Sequence, residues 1–127
     1  MKKSLALFFL LMVTAVSFSQ SGPKIQVNSD TVDYGNAVKG SDNGMRTIEI
    51  KNTGDAPLLV TDVKSTCSCI TTTWDKAAIA PGKSSKIDVK FNMAPGPLRK
   101  TLTIHSNAGN YSGGIVPIKV KGEIKAN

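Results

Sequence analysis

Apolar and polar residues alternate along most of the chain beyond residue 24, a period of two that turns one face of each segment to a core and the other to water. Ile25 and Val27 begin a first strand, and Val32 and Tyr34 continue it after a break at Asn28 to Asp30. Ile48 and Ile50 alternate with Thr47, Glu49 and Lys51 in a second. The Leu58 to Lys64 run predicts a third strand and residues 70 to 74 a fourth. Ile87, Val89 and Phe91 alternate with Lys86, Asp88 and Lys90 in a fifth, and Leu102 and Ile104 with Thr101, Thr103 and His105 in a sixth. In the last, Val116, Ile118 and Val120 alternate with Pro117, Lys119 and Lys121. Pro117 removes a ladder donor, which predicts an edge position or a bulge there. Asp75 to Ala80 is the one stretch that fits a single helical turn.

About seven short strands, with turn signals every ten or so residues, predict an all-β antiparallel sandwich. Asn52-Thr53-Gly54-Asp55 offers a Gly able to take positive φ between side chains that bond the backbone, and it predicts a hairpin closure. Pro81-Gly82 suits the central positions of a type II turn. No strand-to-helix pattern or Gly-rich continuation follows Pro81-Gly82, so it reads as a turn and not as a phosphate loop.

The first nineteen residues read differently. Lys2 and Lys3 precede an apolar run from Leu5 to Val16, followed by the small residues Ser17 and Ser19. This is the pattern of a secretory signal peptide, with cleavage expected after Ser19. The run is twelve residues long, against roughly twenty for a membrane-spanning helix. No cysteine near the cut offers a lipid anchor. The expectation is a protein exported to the periplasm or beyond, with residues 20–127 as one soluble domain and no membrane span. Taking nineteen residues from 127 leaves 108, and losing Lys2 and Lys3 lowers the formal charge from +7 to +5. That length forms a core without staples. The positive charge is spread over many segments without an Arg cluster and with few aromatics, so no nucleic-acid partner is expected.

Only two cysteines are present, Cys67 and Cys69. In a β conformation they share one face, with Ser68 pointing the other way. Export favours oxidation, and a bond closing a loop of about three residues stabilises by roughly 1.5 kcal/mol before strain is subtracted. Two thiolates also suit a soft ion such as Cu(I) or Zn(II). A closed zinc site needs about four ligands, and by type the nearest further candidates are His105 and Met93. Redox exchange and intermolecular pairing remain open, although the spacing is not the Cys-x-x-Cys of thiol oxidoreductases. Trp74 reads as packing. With a single His and no nucleophile elbow or paired catalytic carboxylates, no enzyme and no cofactor are expected.

The order Tyr34-Gly35, Ile48 to Gly54, Pro57-Leu58, Cys67-Ser68-Cys69, Pro81-Gly82-Lys83, Ser106-Asn107 and Val120-Lys121-Gly122 resembles the bacterial domain of unknown function family 1573 (DUF1573) over residues 32 to 124. The resemblance implies an immunoglobulin-like sandwich, related to Hydin and major-sperm-protein type domains, exported in bacteria and without an established activity. The family usually carries Gly where this chain has Ser68. In a bacterial chain the Asn110-Tyr111-Ser112 sequon is not expected to be modified. The reading that emerges is an exported, non-catalytic binding or structural module that engages an envelope or extracellular protein, with pairing at an open sheet edge as one mode. The alternative is a thiol-redox or soft-metal protein centred on Cys67 and Cys69.

Overall fold

The computed structural model describes residues 22–126. The expected signal peptide, residues 1 to 19, lies outside them. The chain forms eight strands: β1 (Ile25–Val27), β2 (Thr31–Val38), β3 (Met45–Asn52), β4 (Val60–Ser65), β5 (Ile70–Trp74), β6 (Ser84–Phe91), β7 (Gly96–Ser106) and β8 (Ile115–Lys125), with a 3-10 turn at Ser112–Gly114 before the last. One sheet runs β1-β3-β6-β5 and the other β2-β8-β7-β4. All pairings are antiparallel except β2 with β8. This is the immunoglobulin-like β-sandwich that the alternation and the resemblance predict.

The inward residues of the pattern are the core. Ile48, Ile50, Ile87, Val89, Phe91, Leu102, Ile104, Val116, Ile118 and Val120 are all buried, each aliphatic side chain contributing about 1.5–3 kcal/mol by its removal from water. The expected first strand is in fact two. The chain changes sheet at Asn28 to Asp30, so that Ile25 sits in one sheet and Val32 and Tyr34 in the other. Asp75 to Ala80 forms no helix. Leu58 and Ile79 instead exchange backbone hydrogen bonds of 2.9 and 2.8 Å, because burying Ile79 ties this loop to the opposite connection.

Pro117 lies in an interior strand, yet its missing donor is not needed. The Lys119 N–H donates to Asp30 O on the β2 side, and Pro117, two residues earlier, faces the same way where β2 has not yet begun.

The Asn52 turn does not close a hairpin, because it carries the chain from β3 to β4 across the two sheets. Asn52 is completely buried. Its amide donates to Ala56 O and Ile79 O (2.7 and 2.8 Å), and its oxygen accepts from Gly54 N–H and Lys24 N–H (2.9 and 3.4 Å). The side chain thereby bonds four backbone groups at this crossing, one of which, Ile79 O, also accepts from Leu58 N–H. Gly54 lies against residues Gly22 to Lys24 so closely that a Cβ there would collide with the Gly22 carbonyl. Pro81-Gly82 forms the turn its residues predict: Gly82 has φ +80°, and Lys83 N–H donates to Ala80 O at 3.0 Å. The same turn returns to Asn52, whose carbonyl accepts from Gly82 N–H at 2.8 Å.

Candidate functional site

Cys67 and Cys69 lie in the connection between β4 and β5, where the chain leaves one sheet for the other. They do not share one face of a strand. The backbone turns at Ser68, with Ile70 N–H donating to Cys67 O at 3.3 Å. The two Cα atoms are 5.1 Å apart, against roughly 6.6 Å for an extended pair two residues apart, and the sulfurs are within bonding distance of each other. Ser65 builds the entry to the turn. Its hydroxyl accepts from Cys67 N–H at 3.0 Å and donates to Cys67 O at 2.9 Å. Asn92 N–H then fixes Cys69 O at 3.0 Å.

From this turn β5 emerges as the outer strand of its sheet. Since Cys69 O faces β6, alternation turns the backbone of Thr71 and Thr73 to β6 and that of Thr72 and Trp74 away from it. The side chains of Thr72 and Trp74 reach across to β4. Thr72 Oγ1 donates to Val63 O at 3.4 Å and Trp74 Nε1 to Val60 O at 3.2 Å. Trp74 is therefore a half-buried packing residue with its N–H satisfied, and Lys76 Nζ lies 3.9 Å from the centre of its ring.

These contacts make the four sheet edges unequal. On β4 the outward carbonyls are covered by β5 side chains. On β1 the Asn110 amide accepts from Ile25 N–H and donates to Ile25 O at 3.1 and 3.0 Å. The β2 edge is broken by a shift of register between Asp33 and Asn36, with Gly35 N–H bonded to the Asp33 carboxylate. The β5 edge has Thr71, Thr72 and Thr73, no charge, no proline and no bulge, which are the usual devices that blunt an edge. Among the described residues the outward groups of Thr72 and Trp74 have no backbone partner.

The structure does not bring His105 to the cysteines. Thr66 N–H bonds Thr101 O at 3.1 Å, and His105 is four residues further along β7, roughly 13 Å away. Its Nε2 lies 3.1 Å from Thr103 Oγ1. Met93 is buried in the core. Among the described residues no three His, Cys, Asp or Glu side chains cluster as a metal site would require.

One polar cluster has no counterpart in the sequence reading. Arg46 makes two bonds to the Asp42 carboxylate (3.1 and 2.8 Å) and stacks 4.2 Å from the centre of the Tyr34 ring. The Tyr34 hydroxyl donates to Gly44 O at 2.7 Å. The hydrogen bond from Arg46 and the Gly44 N–H hold the Asp42 carboxyl down from 3.8 to about 2. Burial raises the Tyr34 phenol, partly offset by the Arg46 charge. The Asp-x-x-x-Arg spacing in Asp42 to Arg46 is the only signal the sequence holds for this clamp, and outside a helix that spacing does not specify a contact.

Similar solved structures bear on the fold. A protein of unknown function from Porphyromonas gingivalis is 22% identical with a TM-score of 0.68 over 87% of this chain, and this chain spans only 50% of that one. The ASH/PapD-like domain of human CEP192 is 9% identical with a TM-score of 0.64, covering 82% of this chain and 87% of that one. The YadV chaperone is 13% identical with a TM-score of 0.56, covering 82% of this chain and 52% of that one. Among curated proteins no sequence matches. The DUF1573 family, described as a protein of unknown function, matches residues 25–124, nearly all of the sandwich, and the chain belongs to it.

Proposed function

We propose that this protein is an exported binding module that recruits a protein partner by adding an extended segment of that partner to the β5 edge. The observation that carries the reading is the inequality of the edges: β1, β2 and β4 are capped or bulged, and β5 presents the free backbone of Thr72 and Trp74. Strand addition draws affinity from such main-chain groups and specificity from alternate side chains. The likeness to a chaperone fold supports a role in protein interaction. Export rests on the basic and apolar pattern of residues 1 to 19, with cleavage after Ser19.

A photo-reactive side chain placed at Thr73, exposed on β5, should cross-link one partner in cells, and the same label at Gln26 on the capped β1 should not. Thr72→Pro removes an outward N–H without touching a bond to β6, since proline is tolerated where the N–H faces outward. It should abolish the Thr73 cross-link while the domain stays folded. Equal cross-linking from Thr73 and Gln26, or capture that survives Thr72→Pro, would exclude β5 as the docking edge.

A further inference from the structure

The Cys67–Cys69 turn gives its two sulfurs unlike surroundings. Cys67 Sγ accepts a hydrogen bond from the Cys69 backbone N–H at 3.1 Å. The Ser65 hydroxyl fixes the Cys67 backbone on both sides. Cys69 instead packs against the hydrophobic core. An N–H donor stabilises a thiolate, and an apolar contact disfavours one.

We propose that this turn carries out thiol–disulfide exchange, with Cys67 as the sulfur that bonds a thiol compound and Cys69 as the sulfur that resolves the mixed disulfide. The activity goes beyond strand recruitment at β5 and does not depend on it. An external thiolate attacks Cys67 Sγ. A new sulfur–sulfur bond forms there, the Cys67–Cys69 bond breaks, and its electron pair leaves on Cys69, which takes up a proton. A second thiolate attacks the outer sulfur of the mixed disulfide and releases Cys67 as a thiolate held by the Cys69 N–H. Two external thiols are thereby oxidised to one disulfide, and the cysteine pair is reduced by two electrons. In reverse, the Cys67 thiolate opens an external disulfide and Cys69 displaces the bound thiol, closing the pair again. So short a loop constrains the unfolded chain little, which lets the bond open and close without unfolding the domain.

The test uses the mature chain, reduced, with the exchange followed by mass spectrometry and the fold of each variant checked by circular dichroism. Glutathione disulfide is the small-molecule probe and a disulfide-linked cysteine peptide the protein-like one. Cys69→Ser should accumulate a mixed disulfide at Cys67, and Cys67→Ser should react about tenfold more slowly. Wild type should pass through the mixed disulfide and return to the closed pair. A faster reaction with the peptide assigns protein cysteines as the natural substrate, and a faster reaction with glutathione disulfide assigns a small thiol. Equal capture by the two single variants, faster capture at Cys69, or folded variants that form no mixed disulfide would each overturn the proposal.

Discussion

The length of β6, roughly 25 Å, separates two connections that the chain builds by opposite means. At one end Asn52 is completely buried and bonds four backbone groups drawn from the residue before β1, its own turn and the β5–β6 loop. At the other, Cys67 and Cys69 are half-buried and their side chains are joined to each other across a single residue. The covalent link is the stronger bond, yet the amide is the stronger fastener. Loss of a buried amide leaves several donors and acceptors unsatisfied in a dry interior. Opening a bond between near neighbours frees only about 1.5 kcal/mol of chain entropy. A fold can therefore place reactive chemistry at the second kind of connection and not at the first.

The sharpest way to break this comparison is Asn52→Ala. It should lose about 3–5 kcal/mol in urea denaturation, because a completely buried side chain and its four backbone hydrogen bonds are lost at once. A loss near 1 kcal/mol would mean that water or relaxation replaces the network. Gly54→Ala comes next, at about 2 kcal/mol, because its Cβ meets the Gly22 carbonyl. Amide exchange at Lys24 and Ile25 should rise with it, reporting that the first residues have been pushed off the turn. Cys67→Ser with Cys69→Ser should remain folded and lose no more than about 2 kcal/mol, and reductant should shift the melt of wild type but not of the double variant. A double variant that unfolds would reverse the ranking of the two connections.

The smallest effect belongs to the Asp42–Arg46 clamp. The folded carboxyl is held at about 2 against an ordinary 3.8. A depressed carboxyl stabilises the fold above its unfolded value and loses that contribution as pH falls through its folded one. Thermal melts of wild type and Asp42→Asn should therefore differ most above about pH 5 and converge toward pH 2. A difference that persists unchanged at pH 2 would show that the effect of Asp42 does not come from its charge.

Strand content, inward faces and the Pro81-Gly82 turn were legible because they depend on neighbours one to three residues away. A period of two needs no knowledge of the partner strand, and Gly after Pro specifies its own turn. The two cysteines were equally visible as a pair. What alternation cannot carry is which sheet a strand joins. Ile25 and Tyr34 read as one strand and belong to two sheets. Asn52 to Asp55 read as a hairpin and became a crossing, and its Asn became the most connected side chain of the core. His105 looked close to the cysteines by residue type, and the register set it four residues off along β7.

By itself the sequence determined the all-β class, the core residues, the family and the two candidate sulfurs, since these follow from local alternation and from motif order. Only the tertiary structure decided that β5 is the open edge, that Cys67 and Cys69 have different surroundings, and that Arg46 reaches both Asp42 and Tyr34. The open edge and the clamp depend on groups 4 to 85 residues apart in the chain, as in Arg46 with Asp42 and Asn110 with Ile25, and pairing over such separations is fixed by packing, to which a local pattern is blind.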